Sequence, residues 1–252
     1  MQPILNLQNV SLTYHSLMGE TVALKNINLT VKNGEFIAIV GPSGCGKTTI
    51  LSLISGLILP TTGTIFIEND RVTKTSDKTG YMFQKDHLFE WRTIMKNILL
   101  GLEIKKNITT EKVAQVNELI EKYGLSEFKN YYPSELSGGM RQRVALIRTL
   151  SLNPKILLLD EPFSALDYQT RLEVCNDVSK IIKQEKKTAI FVTHDIAEAI
   201  SMADRILILS ERPAVIKKTI VIPFSSETSP LKKRENPEFR LLFEQIYEEL
   251  KK

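Results

Sequence analysis

Phe36-Ile-Ala-Ile-Val40, followed at once by Gly41-Pro-Ser-Gly-Cys-Gly-Lys-Thr-Thr49, runs from an apolar, strand-length segment into a glycine-rich loop. Gly41 and Gly46 have the separation of a phosphate-binding loop, and Lys47-Thr48 complete it. Glycines let successive backbone N–H groups turn inward without Cβ clashes, and the helix that follows presents its positive end. In such a loop Lys47 reaches the β- and γ-phosphates of a nucleoside triphosphate and the Thr48 hydroxyl faces Mg²⁺. Pro42, Ser43, Gly44, Cys45 and Thr49 make up the rest of the cradle.

The flanks set this loop in an α/β chain. Residues 4–14 and 24–31 alternate in polarity, as half-buried strands do, and Asn33-Gly34 is a turn before the fully apolar Phe36–Val40. Pro60-Thr-Thr-Gly63 turns into a short strand at Thr64–Glu68. Helical spacing then takes over at Thr93–Leu102, Thr110–Tyr123 and Gly138–Ser151, with Thr109 or Thr110 and Ser137 placed as N-caps. From Ile156 strands and helices alternate: Ile156–Leu159, Gln169–Gln184, Thr188–Val192, Asp195–Met202 and Arg205–Leu209. That rhythm predicts a parallel sheet covered by helices. The expected fold is therefore a P-loop NTPase core with an N-terminal antiparallel β layer and an inserted α-helical subdomain at about 86–154. Residues 1–222 form the nucleotide-binding domain, and 223–252 a tail with an amphipathic helix over Pro237–Leu250.

Composition excludes several classes. The 252 residues are 42% hydrophobic and hold no run of eighteen apolar residues, and Met1-Gln-Pro-Ile lacks a signal-peptide layout. A chain that neither spans a membrane nor is exported is expected. Cys45 and Cys175 are too few for a disulfide framework and suit a reduced setting. The net charge of +4 is spread over short patches such as Lys232-Lys-Arg234, which read as solvated surface and not as a nucleic-acid stripe.

Two further stretches carry chemistry. Ile156-Leu-Leu-Leu-Asp-Glu161 ends an apolar strand in two carboxylates. Beside a phosphate loop, Asp160 is the expected partner of the Mg²⁺ shell, and Glu161 stands ready to orient or deprotonate an attacking water. Ser137-Gly138-Gly139 opens a helix whose free N–H groups and dipole form a second anion site. A tight turn explains two glycines as well. With one phosphate loop already present, however, a second anion site is redundant unless it serves another molecule's nucleotide.

Across residues 4–222 the order of motifs resembles the ATPase subunits of ATP-binding-cassette transporters: phosphate loop, Tyr81-Met-Phe-Gln84, Leu136-Ser-Gly-Gly-Met140, the acidic strand, Ser164-Ala-Leu-Asp167 and Val192-Thr-His194. The resemblance implies catalytic roles for Glu161, His194, Gln84 and Lys47, and Mg²⁺ held by Thr48, Gln84 and Asp160. It further implies adenine stacking on Tyr14 and Asp167 at a dimer seam. Ser137, Gly138 and Gly139 would bind the ATP of a second copy, so the working unit is a homodimer or a pair of cassettes. Transmembrane permease subunits and, indirectly, an extracytoplasmic solute-binding protein complete the system, with this chain peripheral on the cytoplasmic face.

Met140 stands where glutamine is usual. With Leu88-Phe-Glu-Trp-Arg92 and Glu211-Arg-Pro-Ala214, it resembles the importer branch for nitrate, sulfonates and taurine. Phe89 and Trp91 either anchor the helical insertion or line the groove for a permease helix. His15 and His87 match no motif and read as surface. A non-transport cassette ATPase acting on nucleic acid is the alternative. Sustained heptads or clustered Cys/His would mark a repair-type cassette, and a second cassette in the chain a translation-type factor; neither is present.

Overall fold

Alternating polarity near the N-terminus becomes the antiparallel pair β1 (Leu5–Ser16) and β2 (Gly19–Val31). The structure is a computed structural model that describes residues 3–17, 19–225 and 228–251. After β3 (Phe36–Val40) come the phosphate loop and α1 (Lys47–Ser55), then β4 (Thr62–Ile67), β5 (Asp70–Arg71) and β6 (Thr79–Met82). A helical stretch follows, with α2 (Ile94–Ile104), α3 (Thr110–Lys122), two short 3₁₀ turns and α4 (Gly138–Leu150). The chain then alternates: β7 (Ile156–Asp160), α5 (Tyr168–Gln184), β8 (Thr188–Val192), α6 (Ile196–Met202), β9 (Arg205–Leu209) and β10 (Ile216–Val221). It closes with α7 (Pro230–Arg234) and α8 (Pro237–Lys251).

Two sheets result. One is antiparallel, in the order β2-β1-β4-β5, and the other runs β10-β9-β3-β8-β7-β6, parallel from β9 to β6. The unbroken apolar runs of the parallel strands follow from burial on both faces. Ile37, Ile39, Ile156, Leu158, Ile190 and Val192 pack in one cluster with α1 and the antiparallel sheet. Their alternates, among them Ala38, Leu157, Leu159 and Phe191, pack with α4, α5 and α6.

The helix starts lie where their caps place them. Thr93, Thr109 and Ser137 accept hydrogen bonds from the backbone N–H groups of Lys96, Lys112 and Met140, and Asp167 and Asp195 do the same for α5 and α6. Three elements went unread in the sequence: the two-residue β5, the helix α7, and β10, which adds an antiparallel edge to an otherwise parallel sheet. β10 alternates only weakly because its outward residues, Lys217, Thr219 and Val221, include an exposed valine.

Candidate functional site: a phosphate cradle with a carboxylate cluster

β3 lies between β8 and β9, so the loop leaving its C-terminal end emerges beside the ends of the neighbouring strands. That is where open α/β sheets place ligands. Two glycines there are required by contacts. A Cβ on Gly41 would stand 2.9 Å from Cys45 Sγ and 3.1 Å from Leu209 Cβ. Gly46 has φ +123°, and a Cβ on it would meet Leu24 Cδ2 at 2.9 Å. Cys45 is buried, and burial pushes its thiol pKa up, so it fills space and is not a reactive thiolate.

Lys47 is nearly covered, and its Nζ donates to the carbonyls of Gly41 and Pro42, both at 2.9 Å. Thr48 Oγ1 donates to Asp160 Oδ1 at 3.1 Å, and the Tyr81 hydroxyl donates to Oδ2 at 3.1 Å. Burial raises the Asp160 pKa, opposed by these two hydrogen bonds. Burial and the Asp160 carboxylate in turn hold the Tyr81 phenol far above its usual range. Tyr81 is a site residue that sequence reasoning missed. It lies in the segment ending at Gln84, but nothing local shows that β6 pairs with β7 and so brings its hydroxyl to Asp160.

Glu161 follows with φ +44°, a left-handed conformation uncommon for a side chain of its size. Its backbone N–H is held by the Val192 carbonyl at 2.9 Å, across the junction of β7 and β8. The turn aims its carboxylate at two partners from other elements. His194 Nδ1 lies 3.1 Å from Oε2, and Gln84 Nε2 donates to the same oxygen at 3.5 Å. Gln84 also donates to Ser164 Oγ at 3.3 Å, and Ser164 donates to the Glu161 carbonyl at 3.0 Å. Ser164 is thus a second contributor the sequence left without a role. Behind His194, Thr193 Oγ1 donates to the buried Glu198 at 2.6 Å, and Arg171 lies 3.8 Å from the same carboxylate. Burial raises the Glu198 pKa. This network fixes the loop that carries His194.

The cleft lined by Ser43, Lys47, Thr48, Glu161 and His194 therefore gathers residues from three separate segments: the phosphate loop with the start of α1, the end of β7, and the loop after β8. Tyr14 is 44% exposed, with its hydroxyl 3.3 Å from Thr49 Oγ1, so it stands at the edge of the loop. Ser137, Gly138 and Gly139 do not line this cleft. Ser137 caps α4, accepting from the Met140 N–H at 3.3 Å. Gly139 also has a packing reason, because a Cβ there would meet Val174 Cγ2 of α5 at 2.9 Å.

The segment after Gln84 is tied to α4. Arg141 Nε lies 3.1 Å from Asp86 Oδ2, and Arg148 donates to the carbonyls of Asp86 and His87. Beyond it Phe89 is half-buried against Trp91, ring centroids 4.8 Å apart, whereas Trp91 is 75% exposed. Trp91 therefore does not serve as a buried anchor.

Known proteins resemble this chain in sequence and in fold. A family profile described as "ABC transporter" matches residues 24–164. An uncharacterized ABC transporter ATP-binding protein of Bacillus subtilis, YtlC, is 46% identical over 98% of this chain and 95% of its own length. The aliphatic sulfonates import ATP-binding protein SsuB of Bacillus cereus is 43% identical, covering 85% of this chain and 84% of its own. The nitrate import ATP-binding protein NrtD of a Synechocystis species is 42% identical, covering 88% and 85%. Among solved structures, the ATP-binding cassette MJ0796, a dimer in a post-hydrolysis state bound to ADP and Pi, superposes with a TM-score of 0.73 at 34% identity. That superposition covers 88% of this chain and all of the other.

Proposed function

We infer the role of this chain from one premise: it belongs to the ABC transporter family, as an ATP-hydrolysing cassette. Its work is to drive import of a small solute through separate transmembrane permease subunits. Relatives named for sulfonate, nitrate and taurine import support that reading, with a nitrate-, sulfonate- or taurine-like or related small organic molecule as the cargo. An extracytoplasmic binding protein would deliver the solute. Among the described residues no helix is long and apolar enough to cross a membrane. The chain would sit on the cytoplasmic face of the membrane, against the permease. Residues 1–222 act as the cassette, with 86–154 as its inserted helical subdomain and 223–252 as a tail.

The observation that carries the mechanism is the cluster of Glu161, His194 and Gln84 beside the phosphate loop, with Ser137-Gly138-Gly139 outside that cleft. Two copies closing face to face would bring each Ser137 helix start onto the other's ATP, the arrangement that makes hydrolysis depend on dimerisation. A dimeric cassette relative supports it. Tyr14 would stack on adenine, and Gly41 to Thr49 would surround the phosphates. Lys47 would leave its loop carbonyls for the β- and γ-phosphates. Gln84 positions the attacking water, and Glu161 takes its proton as the oxygen bonds to γ-phosphorus and ADP departs. His194, with Nδ1 on Glu161, keeps its other ring nitrogen for the γ-phosphate. Asp167 would face the dimer seam.

The Thr48 hydroxyl, the Asp160 carboxylate and the Gln84 amide oxygen are hard oxygen donors, and Asp160 is a buried acid that a neighbouring cation would relieve. They fit Mg²⁺, which takes few protein ligands and completes its shell with phosphate and water. When bound, the ion neutralises charge on the phosphates.

Glu161→Gln should retain ATP binding, lose turnover by 10²-fold or more on the scale of a general base, and elute as a dimer in MgATP. Ser137→Arg placed in that variant should return it to a monomer with unchanged nucleotide affinity. Full turnover by Glu161→Gln would remove the base assignment. Lost affinity in the Ser137 variant would remove its action across the dimer.

A further inference from the structure

The nucleotide cleft has one wall that no motif accounts for, the turn between β9 and β10. That turn is pinned at its far end to β2. Ala214 N–H donates to the Ala23 carbonyl at 3.0 Å, and its carbonyl accepts from Lys25 N–H at 2.9 Å. Within the turn, Ser210 Oγ accepts from Val215 N–H at 3.0 Å and donates to the Glu211 carbonyl at 2.8 Å. Leu24, between these β2 partners, is also the residue that a side chain at Gly46 would strike. Hairpin tip, β2 and phosphate loop thus share one contact point, and the backbone at 211–214 is fixed beside the cradle.

Arg212 projects from this tip. It lines the same cleft as Ser43, Lys47, Glu161 and His194. Its Nη2 lies 3.9 Å from the point where a Cβ on Gly44 would stand, at the crown of the loop. The residue is exposed, and it makes no hydrogen bond or ion pair among the described residues, Glu161 included. Two basic side chains, Lys47 and Arg212, therefore border one cleft. A polyanion between them would satisfy both, and a guanidinium presents a planar fork of donors that matches phosphate oxygens.

We propose that Arg212 is a phosphate-binding residue of this cleft, holding the nucleotide's triphosphate from the β9–β10 tip while Lys47 holds it from the loop. The proposal rests on the reading of the cleft as the ATP site. It explains why the tip is anchored to β2 by its backbone while its charged side chain is left without a partner. It also gives the Glu211-Arg-Pro-Ala214 stretch a task in this chain. Because the more highly charged nucleotide gains more from an added cation, Arg212 should favour the triphosphate over the diphosphate.

Equilibrium binding of MgADP and of Mg-adenylyl imidodiphosphate tests this on the full chain. The variants are Arg212→Ala, Arg212→Lys, and Arg240→Ala as a control for net charge on the distant α8. Arg212→Ala should weaken the triphosphate analogue about ten-fold, the size of one hydrogen bond to a charged group, and weaken ADP by less. Arg212→Lys should recover part of the loss, since a point charge replaces the fork. Arg240→Ala should match the unaltered chain. Unchanged affinities in Arg212→Ala would overturn the proposal, as would unchanged affinities with slower ATP turnover, which would place Arg212 against the partner copy. Failure of the unaltered chain to bind either nucleotide would instead overturn the reading of the cleft.

Discussion

Asp160 shows what one residue's surroundings do to its chemistry. Both carboxylate oxygens are occupied, one by Thr48 and one by Tyr81, yet burial still lifts its pKa. Removing the phenolic donor leaves that carboxylate less satisfied and less willing to stay charged. Tyr81→Phe should lower stability by about 1 kcal/mol. It should also raise several-fold the Mg²⁺ concentration at which ATP turnover is half-maximal. A magnesium titration of the ATPase, run beside a melting curve, separates the two effects. An unchanged magnesium requirement would reduce Tyr81 to a packing residue. Glu161 makes the complementary case: its left-handed backbone, fixed by Val192, is what turns its carboxylate toward His194 and Gln84 and away from Asp160's donors.

At the scale of elements, α4 links the site to the Phe89-Trp91 pair, of which Trp91 is exposed. Just after Gln84, Arg141 pairs with the Asp86 carboxylate and Arg148 holds the Asp86 and His87 carbonyls, and the N-terminus of α4 is the Ser137 helix start. The next turn is fixed by Asn97 of α2, fully buried. Asn97 accepts from Phe89 N–H at 2.8 Å and donates to the carbonyls of Phe89, Arg92 and Thr93 at 3.0–3.2 Å. Hydrogen bonds thus hold the chain at several points between Gln84 and Trp91, a path along which a displacement at Gln84 would be expected to travel. Asn97→Ala leaves Phe89 N–H and several carbonyls without this partner and should cost about 2 kcal/mol. ATP turnover by the isolated chain should change little in this variant, while stimulation by reconstituted permease should fall. Retained stimulation would show that the turn does not carry the signal.

The whole molecule is closed by its C-terminal segment. α7 packs on α5 and α6, and α6 begins directly after His194. Lys233 of α7 is 1% exposed, and among the described residues its Nζ has no hydrogen-bond partner. Burial lowers its pKa from 10.5 to about 8, with Lys183 adding to the shift and Asp204 opposing it. Below pH 8 both folded and unfolded chains hold this proton, and the burial penalty is constant. Between about 8 and 10.5 the unfolded chain alone holds it, so this group's contribution to stability rises with pH. Lys233→Met should therefore stabilise the fold at pH 7 by roughly 1–3 kcal/mol, with the gain shrinking as pH approaches 10.5. Urea unfolding at both pH values measures it, and a gain independent of pH would show that the lysine stays charged in the fold.

What could be read from the chain without coordinates follows from short-range physics. The phosphate loop needs glycines where backbone turns inward, caps need Ser, Thr or Asp one residue before a helix, and strands buried on both faces need unbroken apolar runs. Each rule acts within a few residues, so Lys47, Thr48, Asp160, Glu161 and the Ser137 helix start were legible, as were nearly all the strands and helices. Tyr81 on Asp160, Ser164 under Gln84 and Arg212 at the cradle were not. Those pairs meet because β3 inserts between β8 and β9 while β6 pairs with β7, and because the β9–β10 tip docks on β2. Sheet order and docking come from the packing of two apolar faces against different layers, a balance over the whole chain that local pattern does not encode.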